Sequence, residues 1–89
     1  MKYKIKRNYT KLGKNLQDCR NKAGLTQKNV ADRLGYSSAQ FISNFERGIS
    51  APPIKRIKVL AKIYYPHLDK KTVVEMYLAG IQKRIESVI

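Results

Sequence analysis

Apolar residues recur along most of this chain at steps of three and four, the period of a helix packed on one face. Tyr9, Leu12, Leu16, Cys19 and Ala23 predict a first helix from about Tyr9 to Ala23, stopped by Gly24. Val30, Ala31 and Leu34 predict a second, capped by the Thr26 hydroxyl and closed by Gly35, since glycine accepts the left-handed backbone that ends many helices. Ser37 or Ser38 then starts a third, with Phe41, Ile42 and Phe45 on its inward side. Pro53 suits the first turn of a fourth helix, in which Ile54, Ile57, Leu60, Ala61 and Tyr64 face in and Lys55, Arg56, Lys58 and Lys62 face out. It ends near Tyr65, because Pro66 disfavours helical backbone in the residue before it. Asp69 caps a fifth helix running to about Ser87. Only Tyr3 and Ile5, alternating with Lys2, Lys4 and Lys6, show the period of a strand, and they have no partner strand. With no internal repeat and no linker, the pattern predicts an all-α domain of five helices.

The polar positions are as ordered as the apolar ones. Gln40, Ser43, Asn44 and Arg47 share the outward side of the third helix, a stripe of hydrogen-bonding groups with little charge. Base edges in a major groove need such groups: Gln or Asn pairs with adenine, Arg with guanine, Ser with either. Any surface helix also shows a polar stripe to water, so the stripe alone is not decisive. Its setting adds weight, because it follows another short helix across a turn in a strongly basic chain. Lys and Arg number 19 against 6 acids, a formal charge of +13 with a pI near 10.1. That imbalance points to a polyanion, either nucleic acid or an anionic membrane surface. No apolar run approaches the roughly 20 residues that span a bilayer, and the N-terminus lacks the apolar core of a signal peptide, so a cytoplasmic protein is expected.

Catalytic chemistry finds little support. The only histidine, His67, follows Pro66 without a triad pattern, and Asp69 and Glu75 do not form an evident acid–base pair. The single cysteine, Cys19, lies on the inward side of the first helix and reads as a small core residue, with no metal-ligand spacing around it. No enzyme activity, cofactor or metal is therefore expected. Arg20 and Glu46 sit at the edges of the inward faces of their helices, where they either pair or are separately solvated.

Residues 9 to 64 resemble the DNA-binding domain of the lambda-repressor and Cro type, the xenobiotic-response-element family of helix-turn-helix regulators. Leu16, Arg20, Gly24, Leu25, Thr26, Gln27, Ala31, Gly35, Ile42, Glu46, Gly48, Pro53, Leu60 and Ala61 carry the match. The resemblance implies a five-helix lambda-repressor-like fold, a phosphate contact by Gln27 at the start of the second helix, and a buried Arg20–Glu46 ion pair. It implies base reading by the third helix, here Ser38, Ala39, Gln40, Ser43, Asn44 and Arg47. One departure is that Gly35 and Gly48 stand one residue further apart than usual, an insertion best placed in Tyr36–Ala39. It either lengthens the turn or extends the start of the recognition helix.

The two ends of the chain complete the expectation. Residues 1–8 are basic and free of acids, which fits an arm on phosphates or in the minor groove, a frayed terminus, or partial packing of Tyr3 or Ile5. With the arm residues Lys4, Lys6 and Arg7, the phosphate contacts expected are Gln27, Lys28, Lys55 and Arg56. The domain spans 9–66, and 67–89 form a C-terminal helix in which Val74, Leu78, Ile81, Ile85 and Val88 recur at the spacing of a helical seam, widened by Val73 and Tyr77. The seam either folds wholly back onto its own domain or, as expected here, pairs two copies in a homodimer on a near-palindromic DNA site, its recognition helices about 34 Å apart. Three functions remain open: a sequence-specific regulator such as a repressor; an antitoxin or co-activator acting chiefly through a protein partner; and an RNA or membrane-surface binder driven by charge.

Overall fold

A computed structural model of the chain describes residues 9–88, with the side chains of 83, 84 and 86–88 outside that description. Five helices follow in order: α1 (Thr10–Lys22), α2 (Gln27–Leu34), α3 (Gln40–Glu46), α4 (Ile54–Tyr64) and α5 (Lys70–Val88). No strand occurs among the described residues. The arm expected over residues 1–8, including Lys4, Lys6 and Arg7, lies outside them.

Local chemistry sets the helix ends. The Thr26 hydroxyl accepts the Asn29 N–H while the Asn29 side chain accepts the Thr26 N–H, both at 3.0 Å, so two otherwise unpartnered donors at the start of α2 are satisfied together. Gly35 closes α2 at φ +79°, a left-handed conformation costly to other residues. The Asp69 carboxylate accepts the Thr72 N–H at 2.9 Å and caps α5. By contrast Ala39, at the head of α3, offers no side-chain cap.

One core joins all five helices: Leu12, Leu16 and Cys19 from α1, Val30, Ala31 and Leu34 from α2, Ile42 and Phe45 from α3, Ile57, Leu60 and Tyr64 from α4, and Met76 from α5. Cys19 is buried as expected, and its thiol donates to the His67 carbonyl at 3.3 Å, tying α1 to the loop between α4 and α5. Burial raises the thiol pKa, which keeps it protonated and unreactive. The helices α1 and α3 cross closely at Gly13, where a Cβ would lie 2.5 Å from the Glu46 carbonyl oxygen. Such an approach fixes the recognition segment against the first helix.

Two expectations about facing need correction. Phe41 is not a core residue: it is 45% exposed at the edge of α3, because the inward side of this short helix is filled by Ile42, Phe45 and Glu46. Arg56 is not fully outside. It is half-buried, with its guanidinium over the Tyr36 ring at 5.1 Å from the centroid.

In α5, small or flexible residues face inward. Thr72, Met76, Ala79 and Gly80 are buried and Val73 partly so. A Cβ at Gly80 would lie 3.0 Å from Cδ1 of Ile54, so the glycine lets α5 settle on α4. The larger apolar side chains Val74, Leu78, Ile81 and Ile85 point away from the core, 48 to 59% exposed, with Tyr77 beside them.

Candidate nucleic-acid interface

The recognition helix α3 presents a connected row of side chains. The Gln40 amide donates to Asn44 Oδ1 at 2.9 Å, and Arg47 donates to the same oxygen at 2.9 Å. Spacings of four and three residues make these contacts possible on one helical face. Both contacts are exposed to water, and each member retains groups with which to address a base edge. Ser43 lies half-buried along the other side of the row.

Ser38 and Ala39 are placed differently from the helical residues. They belong to the turn, since α3 begins only at Gln40, whose N–H points to the Ser38 hydroxyl at 3.3 Å. The additional residue between Gly35 and Gly48 therefore lengthens the turn and leaves the recognition helix short. In that longer turn the Tyr36 ring stacks on Phe41 at 4.4 Å, with 13° between planes, and meets Phe45 edge-on at 6.2 Å. Sequence reasoning missed this cluster, because no helical periodicity links a turn residue to α3 and α4 together.

Behind the reading face lies a buried charged knot. The Arg20 guanidinium donates to the Glu46 carboxylate at 2.6 and 3.0 Å and to the Leu25 carbonyl at 2.9 Å. Glu46 is only 8% exposed, and its carboxylate also accepts the Gln27 amide at 2.9 Å. The hydrogen bond to Glu46 raises the Arg20 pKa against the opposing effect of burial, so the cation is held firmly. The expected ion pair is thus present, and it connects α1, the head of α2 and the end of α3 in one network. The resemblance implied Gln27 as a phosphate ligand; one of its amide hydrogens is engaged by Glu46, which leaves the second hydrogen and the backbone N–H at the α2 terminus.

The other cations expected at phosphates have distinct settings. Lys28 is exposed and pairs with Asp32 one turn on, an arrangement worth little in water and easily exchanged for a phosphate. Lys55 is exposed near the start of α4. Arg56 is held against Tyr36, and its Nε is enclosed without a hydrogen-bond partner.

A sequence model of the Helix-turn-helix family matches residues 16–64. The chain belongs to the Cro/C1-type helix-turn-helix family. Members of this Cro/C1-type family are DNA-binding transcriptional regulators, and the match spans α2, the turn, α3 and α4 together with the part of α1 that carries Arg20. Helix α5 follows the matched segment of the Cro/C1-type domain, although Met76 shares its core. No curated protein matches the chain. No helix among the described residues is long and apolar enough to cross a membrane.

Proposed function

We propose that this chain is a transcriptional repressor that binds a near-palindromic operator as a homodimer, its own promoter included among its targets. The observation that carries the proposal is the row Gln40–Asn44–Arg47, held on α3 above the Arg20–Glu46–Gln27 knot. Hydrogen-bonding side chains on a helix backed by a tightly packed network suit direct readout of a major groove. In this reading Gln40, Ser43, Asn44 and Arg47 address base edges, with Ser38 and Ala39 at the approach to the groove. Gln27, Lys28, Lys55 and Arg56, joined by Lys4, Lys6 and Arg7, hold the phosphates. A dimer seated on a promoter excludes polymerase by occupancy alone.

The exposed face of α5 supports the second subunit. Val74, Tyr77, Leu78, Ile81 and Ile85 form an apolar stripe, continued in sequence by Val88, beside a hollow of about 250 Å³ bordered by Tyr9, Leu12 and Ala79. Each such Ile or Leu is already about half buried, so covering the rest contributes about half of the ~1.5–3 kcal/mol of a full burial, a favourable association term when two copies of the stripe pair. Two recognition helices then meet successive major grooves on one side of the duplex.

Selection from random duplexes, combined with sedimentation of the free protein, tests both parts. The expected result is an enriched inverted repeat and a dimer at micromolar concentration. A monomer that binds an isolated half-site as tightly as the full site overturns the dimer. Failure to enrich any sequence overturns the operator, and copurification with a protein that blocks DNA binding favours the antitoxin or co-activator role.

A further inference from the structure

The aromatic edge of α3 stands apart from its polar row. Phe41 is 45% exposed, yet its ring is held by the parallel stack on Tyr36 at 4.4 Å. Tyr36 is held in turn by the edge of Phe45 and by the Arg56 guanidinium on its ring. Arg56, Tyr36 and Phe41 thus join α4, the turn and α3 in one assembly, and the apolar surface that remains open belongs to Phe41. Single exposed apolar residues are common on protein surfaces. This one is fixed in place and lies three residues before Asn44, the spacing that makes two side chains neighbours on a helix.

A major groove presents one apolar group to such a surface, the C5-methyl of thymine. We propose that Phe41 is a specificity-determining residue that packs on a thymine methyl beside the base pair addressed by Asn44. The inference rests on the reading of α3 as the recognition helix and adds a base contact of a different kind. Gln40, Asn44 and Arg47 discriminate by hydrogen bonds, whereas Phe41 discriminates by a methyl group alone. The long turn has a part in this: it is Tyr36, a turn residue, that carries the ring of Phe41.

The test uses the full chain and the duplex that it enriches from random sequence. Each thymine is replaced in turn by deoxyuridine, which removes the methyl and leaves every hydrogen bond in place. Wild-type protein should lose about fourfold in affinity at one thymine per half-site, the worth of one buried methyl group. That thymine should lie next to the base pair whose preference relaxes in Asn44→Ala. Phe41→Ala should bind the thymine and uracil duplexes alike while keeping its affinity for random DNA. Wild-type indifference to uracil at every position overturns the assignment without recourse to any variant, as does a uracil penalty that survives in Phe41→Ala. Failure to enrich any duplex instead removes the underlying reading of α3.

Discussion

Helices α3 and α5 solve opposite problems. The shorter, α3 (Gln40–Glu46), buries Ile42 and Phe45 and shows amides and a guanidinium outward. The longer, α5 (Lys70–Val88), buries Thr72, Met76, Ala79 and Gly80 and leaves Val74, Leu78, Ile81 and Ile85 outside. Its apolar side chains are thus largely turned away from its own core. The difference teaches that the two outward faces carry unequal weight: a polar stripe is what water selects on any surface helix and gains meaning from its setting, whereas an exposed apolar stripe departs from what water selects. In the proposed function, the face of α3 addresses base edges and the face of α5 meets a second copy of the chain.

The most severe way to break this contrast is to remove the support of α3. Glu46→Ala or Arg20→Met should each destabilise the domain by about 3–5 kcal/mol in chemical denaturation, because each strands a charge in the protein interior. The double variant should cost less than the sum of the two, since the partners are coupled. A change within experimental error for both single variants would mean that the knot does not hold the helices together. Ile81→Asp with Ile85→Asp attacks α5 instead. If the proposed dimer forms through α5, this variant should raise its dissociation constant at least about a hundredfold in sedimentation while the fold is retained, because apolar side chains of the proposed interface are replaced by carboxylates. An unchanged dimer would locate the interface elsewhere.

Milder changes sharpen the contrast. Asn44→Ala or Gln40→Ala should lose about 1–3 kcal/mol on the enriched duplex with random DNA little affected, whereas equal losses on both would assign the row to phosphates. Lys55→Ala should flatten the slope of log affinity against log salt by about one unit, and deletion of residues 1–7 should flatten it further. An unchanged slope after that deletion would make the arm a passive tail. The smallest effect concerns the caps. Hydrogen bonds from Thr72 hold the Asp69 carboxylate below its ordinary pKa of 3.8. The stabilisation is therefore fully present above that value and is lost as pH falls through the lower folded value. Acid titration followed by NMR should show the Thr72 N–H shift following the Asp69 carboxylate through a midpoint below 3.8; a midpoint at or above 3.8 would rule this out.

Much of the architecture was legible because it rests on local rules. Thr26 and Gly35 bound α2, Asp69 caps α5, and Tyr64 faces the core, all through chemistry within a turn of each residue. The Arg20–Glu46 pair was reached only through the resemblance, since the spacing of two charges in separate helices does not show whether they meet. Gln27 joining that pair, and Phe41 leaving the core for Tyr36, were not legible at all. Helical periodicity places Phe41 beside Phe45 and says nothing of how much room the neighbouring helices leave.

The chain's own order of apolar and polar residues determined five helices, a helix-turn-helix unit and an outward stripe of hydrogen-bonding groups on α3. Each of these depends on backbone and side-chain preferences that act over three or four residues. Tertiary structure decided the rest: that the additional residue lengthens the turn, that Arg56 folds over Tyr36, and that α5 seats Met76 in the core and turns its leucine and isoleucines outward. Those outcomes depend on contacts between residues far apart in sequence, where close packing selects one arrangement among several that the same local pattern allows.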